Sequence, residues 1–269
     1  MRYGCCGSMV ARRADGTGIE IVEQLKEMGF DYIELSLAHI MALSDSDFDV
    51  LGERLRQTGL RCEACNNFFP PQIRLTGSAA DLPLTLDYVE RAFRRASLLG
   101  AEVIVFGSSG AKNVPEGFSR DRAWMQIVHL LRALDPPAEK YGITVAIEPL
   151  NRLESNIVNT AAEGLKLARE VNREHIQLLV DYYHLMMEQE SPDIILEAAD
   201  SIRHLHFAEP EGRVFPRGLN PGYSAFFARL KEIGYTGRLS LEAYSGEFAV
   251  DAPRSLSLLK KLENEVWDG

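Results

Sequence analysis

Little in this chain is built for cross-links, membranes or polyanions. Only four cysteines occur in 269 residues, Cys5, Cys6, Cys62 and Cys65, too few for a disulfide-built scaffold and no argument for an oxidising compartment. Cys62-Glu-Ala-Cys65 has the spacing of a metal or redox pair. It lies in LRCEACNNF, which reads as a strand, where an offset of three puts two side chains on opposite faces. Both pairs of thiols are therefore expected to be buried and structural. No apolar run approaches the roughly 18 residues needed to cross a bilayer. The start, MRYGCCGSMVARRADG, lacks the apolar core of a signal peptide. A cytoplasmic enzyme with no membrane partner is expected. Basic residues are in deficit, 29 against 39 acidic, for a formal charge of −10, which disfavours nucleic acid as a partner. There is no glycine-rich nucleotide fingerprint either, since Gly4-Cys5-Cys6-Gly7 lacks that pattern. No linker or low-complexity tract marks a second domain.

What the chain does have is alternation. Eight short apolar runs recur: Tyr3–Cys6, Tyr32–Leu35, Leu60–Ala64, Val103–Phe106, Val145–Glu148, Leu178–Asp181, Ile202–His206 and Leu239–Glu242. Amphipathic stretches separate them, with apolar residues at helical spacing and glycine stops: Ile19–Gly29, Leu84–Gly100, Asp121–Gly142, Ala161–Val171 and Tyr223–Gly234. Within the third, Asp135-Pro136-Pro137 should break or restart the helix, because proline removes a donor and clashes with the preceding turn. Strand–helix alternation argues for parallel strands with helical crossovers. Eight such units predict an α/β fold, a single (β/α)8 barrel domain spanning residues 1–269. Two irregular stretches, Asn66–Pro83 and Gly107–Phe118, follow the third and fourth strands and belong on the catalytic rim. Phe68 and Phe69 are read as a lid on the substrate, because exposed paired phenylalanines are unfavourable unless they pack on something.

The last four runs each end in a polar side chain: Glu148, Asp181, His206 and Glu242. A carboxylate at the end of a buried strand is costly unless paired or metal-bound, and in a barrel these four positions converge at the carboxyl-terminal mouth. Two glutamates, an aspartate and a histidine, with no thiolate, suit one Mn2+, Mg2+, Co2+ or Zn2+. His204 shares the face of His206 but lies deeper, as a core residue or a support. His39, His129 and His175 fall in helix or loop contexts and are read as structural or surface residues. Glu154 and His184 follow Glu148 and Asp181 closely enough to reach a substrate. Arg213 and Arg217, after the seventh strand, could donate to hydroxyls or to a phosphate; with no glycine-rich phosphate loop after the last two strands, an unphosphorylated substrate is preferred.

Taken together, VIVFGSSGAKNVPEGF, VAIEPLNRLESN, LLVDYYH, HLHFAEP with EGRVFPRG, and SLEAY resemble the xylose-isomerase-like TIM-barrel superfamily, in the branch of ketose 3-epimerases and hydroxypyruvate isomerases. The resemblance runs over nearly the whole chain. It implies one divalent ion, often manganese, at Glu148, Asp181, His206 and Glu242. It also implies acid/base catalysis by Glu148 and Glu242, substrate contacts at Glu154, His184 and Arg213, and a small sugar or hydroxy-carbonyl substrate passing through a cis-enediolate stabilised by the metal. A homo-oligomer is left open. A dehydratase of an inosose-like substrate is an alternative on the same scaffold. An endonuclease IV-like enzyme is disfavoured, because the positions after the third and fourth strands, Asn66-Asn67-Phe68 and Gly107-Ser108-Ser109, hold no histidine for a zinc cluster.

Overall fold

The computed structural model describes residues 1–268. Eight strands close a barrel in sequence order: β1 (Arg2–Cys6), β2 (Tyr32–Ser36), β3 (Arg61–Asn66), β4 (Val103–Phe106), β5 (Thr144–Ile147), β6 (Ile176–Asp181), β7 (Ile202–Phe207) and β8 (Arg238–Leu241). Every neighbouring pair is parallel, and β1 pairs with β8 to complete the ring. The helices around it are α1 (Val22–Met28), α2 (Leu37–Ala42), α3 (Asp45–Thr58), α4 (Leu82–Leu99), α5 (Ser109–Lys112), α6 (Arg120–Tyr141), α7 (Ala161–Val171), α8 (Tyr182–Met187), α9 (Ile194–Glu197), α10 (Pro221–Glu232) and α11 (Phe248–Asp268). This is the (β/α)8 barrel that the alternation predicts. None of the described helices is long and apolar enough to cross a membrane.

Side-chain alternation sorts the strands into an outer core, packed under the helices, and a barrel interior. Tyr32, Ala64, Val103, Val105, Ala146 and Leu179 form a separate inner cluster, while Leu35, Phe106, Leu205 and Phe207 join the outer one. The Tyr32 ring enters the interior because β1 carries Gly4 opposite it. A Cβ there would lie 2.2 Å from the ring, inside van der Waals contact.

Two bulges adjust this alternation. In β3, Cys62 pairs with Ile33 but Ala64 pairs with Glu34, so Glu63 is an extra residue. The bulge overturns the expectation for the cysteines. The inserted residue cancels the odd offset, so Cys62 and Cys65 share one face with their sulfurs 3.8 Å apart. Both thiols are free and buried, as expected of structural residues. Glu63 itself is buried and bonds to Arg2 and to Arg238 (2.8 Å) at the strand starts. The second bulge, at Arg203 in β7, leaves Arg203 exposed and turns both His204 and His206 inward.

The prolines depart from expectation in the other direction. α6 runs unbroken from Arg120 to Tyr141 with Pro136 and Pro137 inside it. Pro136 faces solvent, where water can satisfy the carbonyl it frees, while Leu130, Leu131, Leu134 and Ala138 hold the helix to the barrel. Other helices match the predicted spans closely. α4 begins at an Asp81 cap that accepts from the Leu84 amide, and α7 at a Thr160 cap that accepts from the Glu163 amide.

Candidate metal centre and acid/base pair

At the carboxyl-terminal mouth the strand ends bring four side chains together. Glu148 and Glu242 stand one residue beyond β5 and β8, Asp181 closes β6, and His206 is next to last in β7. Each is buried, with one ligand atom apiece lying within 4.8 Å of the others. His206 Nδ1 is 2.8 Å from Glu148 Oε1 and 3.3 Å from Glu242 Oε2. Gly107, just past β4, makes the room. A Cβ at that position would sit 2.0 Å from Glu148 Oε2.

The donor set fits a hard or borderline divalent cation: three carboxylates, one imidazole and no thiolate. One observation adds weight. Asp181 Oδ1 accepts from the Tyr183 amide at 2.8 Å and caps α8, but its Oδ2 is buried with no hydrogen-bond partner. A buried carboxylate oxygen left unpaired costs free energy, and a cation among these four groups would satisfy it.

The carboxylates are tuned apart. Burial and the nearby Glu242 charge raise the pKa of Glu148, with His206 opposing. Burial also works against ionised Glu242, but Arg213 and His206 outweigh it and bring that group down to about 2. Burial pushes Asp181 up to about 7 against the pull of Arg213 and His206.

The residues expected to meet substrate ring this centre. Arg213, on the loop after β7, pairs with Glu242, sits 3.8 Å from Asp181 Oδ2 and donates to Glu154 at 3.2 Å. Its guanidinium lies 4.7 Å from the centre of the Tyr183 ring. Arg213 has a φ of 50°, unusual for a residue with a Cβ. Its carbonyl accepts from the Tyr244 amide at 2.8 Å, which pins that backbone. Asn151 donates to His184 Nδ1 from its side chain (2.8 Å) and its backbone (3.2 Å). The proton of His184 is thereby placed on Nε2, which is buried, unpartnered and 3.5 Å from Asp181 Oδ2. Burial and Arg213 bring the His184 pKa down to about 3, so the ring is neutral.

Phe68 and Arg217 make other contacts. Phe68, read as a lid, is fully buried. It stacks on Phe69 at 3.9 Å and on Phe93 of α4 at 5.5 Å, and its carbonyl accepts from Tyr88. The paired phenylalanines do pack on something, but it is the helix layer. Arg217 turns to Asp251, 3.5 Å away, with its side chain largely exposed, and does not converge with Arg213.

Sequence reasoning missed four supports. Asn66, at the end of β3, donates to Glu242 Oε1 at 3.0 Å. Lys112 is buried and donates to the Glu148 carbonyl at 3.1 Å; burial brings its pKa down to about 8. Asn151 orients His184. The fourth is Glu34, fully buried inside the barrel within hydrogen-bond reach of both His204 and His206. An acid in the middle of an apolar strand was the visible signal.

Comparison with known proteins agrees with this geometry. The sequence model of a family described as xylose isomerase-like TIM barrel matches residues 22–262. An L-ribulose 3-epimerase from Mesorhizobium japonicum is 30% identical over 251 residues, covering 90% of this chain and 80% of its own. A D-psicose 3-epimerase from Agrobacterium fabrum is 27% identical, covering 83% and 78%. Among solved structures, a D-psicose 3-epimerase determined in the presence of D-fructose superposes with a TM-score of 0.83 over the full length of both chains, at 22% identity, a likeness of fold.

Proposed function

The chain belongs to the xylose isomerase-like TIM-barrel family, and from that premise we propose that it is a divalent-metal-dependent epimerase of a small unphosphorylated ketose. The observation that carries the proposal is one buried cluster holding both a cation-binding donor set and two glutamates tuned in opposite directions. Glu148, Asp181, His206 and Glu242 would hold the ion, with Mn2+ the first choice. Bound there, it supplies Lewis acidity to a neighbouring hydroxyl–carbonyl pair and so acidifies the carbon-bound proton.

The protein's own groups do the rest. Glu242, held ionised by Arg213, is the base that takes the proton from carbon, and the C–H electron pair moves into the adjacent carbonyl. Glu148 returns a proton to the opposite face of the same carbon, which inverts it. Arg213, Glu154 and the Nε2–H of neutral His184 offer two donors and an acceptor for substrate hydroxyls. Burial of the cluster excludes bulk water from the carbanion-like species.

Two features support an unphosphorylated substrate. Arg217 points to Asp251 and does not converge with Arg213, so the two arginines do not form a phosphate clamp. The cluster is also predominantly acidic. The names of the relatives, ketose 3-epimerases, point to inversion at the carbon beside the carbonyl. The test is a panel of free ketoses incubated with Mn2+-loaded protein, with products resolved by NMR. Formation of the 3-epimer of at least one member is expected. Absence of any epimer across pentuloses and hexuloses would remove the proposal.

A further inference from the structure

Glu34 lies inside the barrel and meets the proposed centre at His206. Its carboxylate accepts three hydrogen bonds within the barrel: His206 Nε2 at 2.9 Å, His204 Nε2 at 2.8 Å and Ser240 Oγ at 2.5 Å. Ser240 in turn meets the Tyr32 hydroxyl at 2.8 Å, and Gly4 clears the space for that ring. Glu34, His204, His206, Ser240 and Tyr32 are all fully buried. Such a buried, costly arrangement calls for an explanation beyond packing.

The chemistry of the acceptor supplies one. An ionised carboxylate has no proton to give, so the imidazole nitrogen facing it must carry N–H. Three donors converge on the two oxygens of Glu34, His206 on Oε1 and both His204 and Ser240 on Oε2, so it acts as the acceptor throughout. His206 thereby keeps its proton on Nε2, which leaves Nδ1 as the ring nitrogen that can give up a proton and bind a cation. Nδ1 is the nitrogen that faces Glu148 and Glu242. His204 is fixed in the same tautomer and shares the carboxylate.

We propose that Glu34 is a positioning residue that sets the tautomer and ring plane of His206 so that Nδ1 is presented to the cation, with Ser240 and Tyr32 fixing Glu34 in place. The inference rests on the metal site proposed above. Carboxylates that support a ligating histidine from behind commonly change metal affinity by ~10–100-fold when altered.

The experiment measures Mn2+ binding by calorimetry to chelator-treated wild type and Glu34→Gln. The glutamine is nearly isosteric but can no longer accept from both histidines. A ~10–100-fold loss of affinity in the variant is expected. Affinity within threefold of wild type, in a variant that melts cooperatively, overturns the proposal. No Mn2+ binding by wild type itself sinks the metal reading instead, so the two failures are distinct. A second measurement does not depend on the variant folding. In wild-type protein loaded with diamagnetic Zn2+, 15N-histidine NMR should show His206 protonated on Nε2 and bound through Nδ1. The opposite assignment refutes the role of Glu34.

Discussion

Gly107→Ala isolates the geometry of the proposed centre with one added carbon. An ideal Cβ at this position lies 2.0 Å from Glu148 Oε2 and 3.2 Å from its Cδ. A carbon and an oxygen that are not bonded approach no closer than about 3 Å, so the carboxylate must retreat by about 1 Å. A misplacement of that size costs on the order of 10²-fold in rate, equivalent to about 2.7 kcal/mol of barrier. Gly107 is absent from the positive-φ positions, so alanine meets no left-handed backbone strain. The side chain it strikes is the end of a rotatable glutamate, so the fold has a way to yield. The expected result is kcat/KM reduced about 100-fold, weaker Mn2+ binding and a melting temperature close to wild type. Steady-state kinetics at saturating Mn2+, with calorimetry and a thermal melt on the same preparation, check all three. Kinetics within threefold of wild type would falsify the claim that the room made by Gly107 is what positions Glu148.

Three further outcomes are expected. Phe68→Ala removes a ring from the stack with Phe69 and Phe93 and should cost about 3–5 kcal/mol of stability in urea unfolding; a variant as stable as wild type would contradict that packing role. Asp181, raised to about 7 in the fold from about 3.9 in the unfolded chain, binds its proton more tightly when folded. Its contribution to the chelator-treated protein is therefore fully present below about pH 4 and lost as pH rises through about 7. The melting-temperature difference between wild type and Asp181→Asn should shift against wild type across that window, and a pH-independent difference contradicts the shift. For substrate class, a free ketose should turn over faster than its terminal phosphate ester. Preference for the ester, lost in Arg213→Ala, would reverse the unphosphorylated reading.

The barrel was legible because its strands and helices carry different periods, and because polar residues ending apolar runs stand out. Glu148, Asp181, His206 and Glu242 were readable for that reason, and the structure brings them within 4.8 Å of one another. The bulges at Glu63 and Arg203 were not legible: an inserted strand residue leaves no local pattern, yet it reverses the face of whatever follows. Cys62 and Cys65 were misplaced on that account. The packing of Phe68 was not legible, because an aromatic pair in an irregular loop looks the same from sequence whether it covers a substrate or anchors the loop to α4. Glu34 was visible as an acid within Tyr32-Ile33-Glu34-Leu35. Its partners His204 and His206 lie 170 and 172 residues away, and only closure of the barrel joins them.

The most direct test of the central claim is the fate of the carbon-bound proton. Mn2+-loaded protein is incubated with a turned-over ketose in deuterated water, and after the metal is removed the recovered sugar is analysed by proton NMR and mass spectrometry. Wild type should place deuterium at carbon 3 in both the substrate and its epimer. Glu148→Gln and Glu242→Gln, each compared at full metal occupancy, should reduce epimer formation at least ~10²-fold. Epimerisation without any deuterium uptake in wild type, or full activity in either variant, would contradict proton transfer by this pair of glutamates.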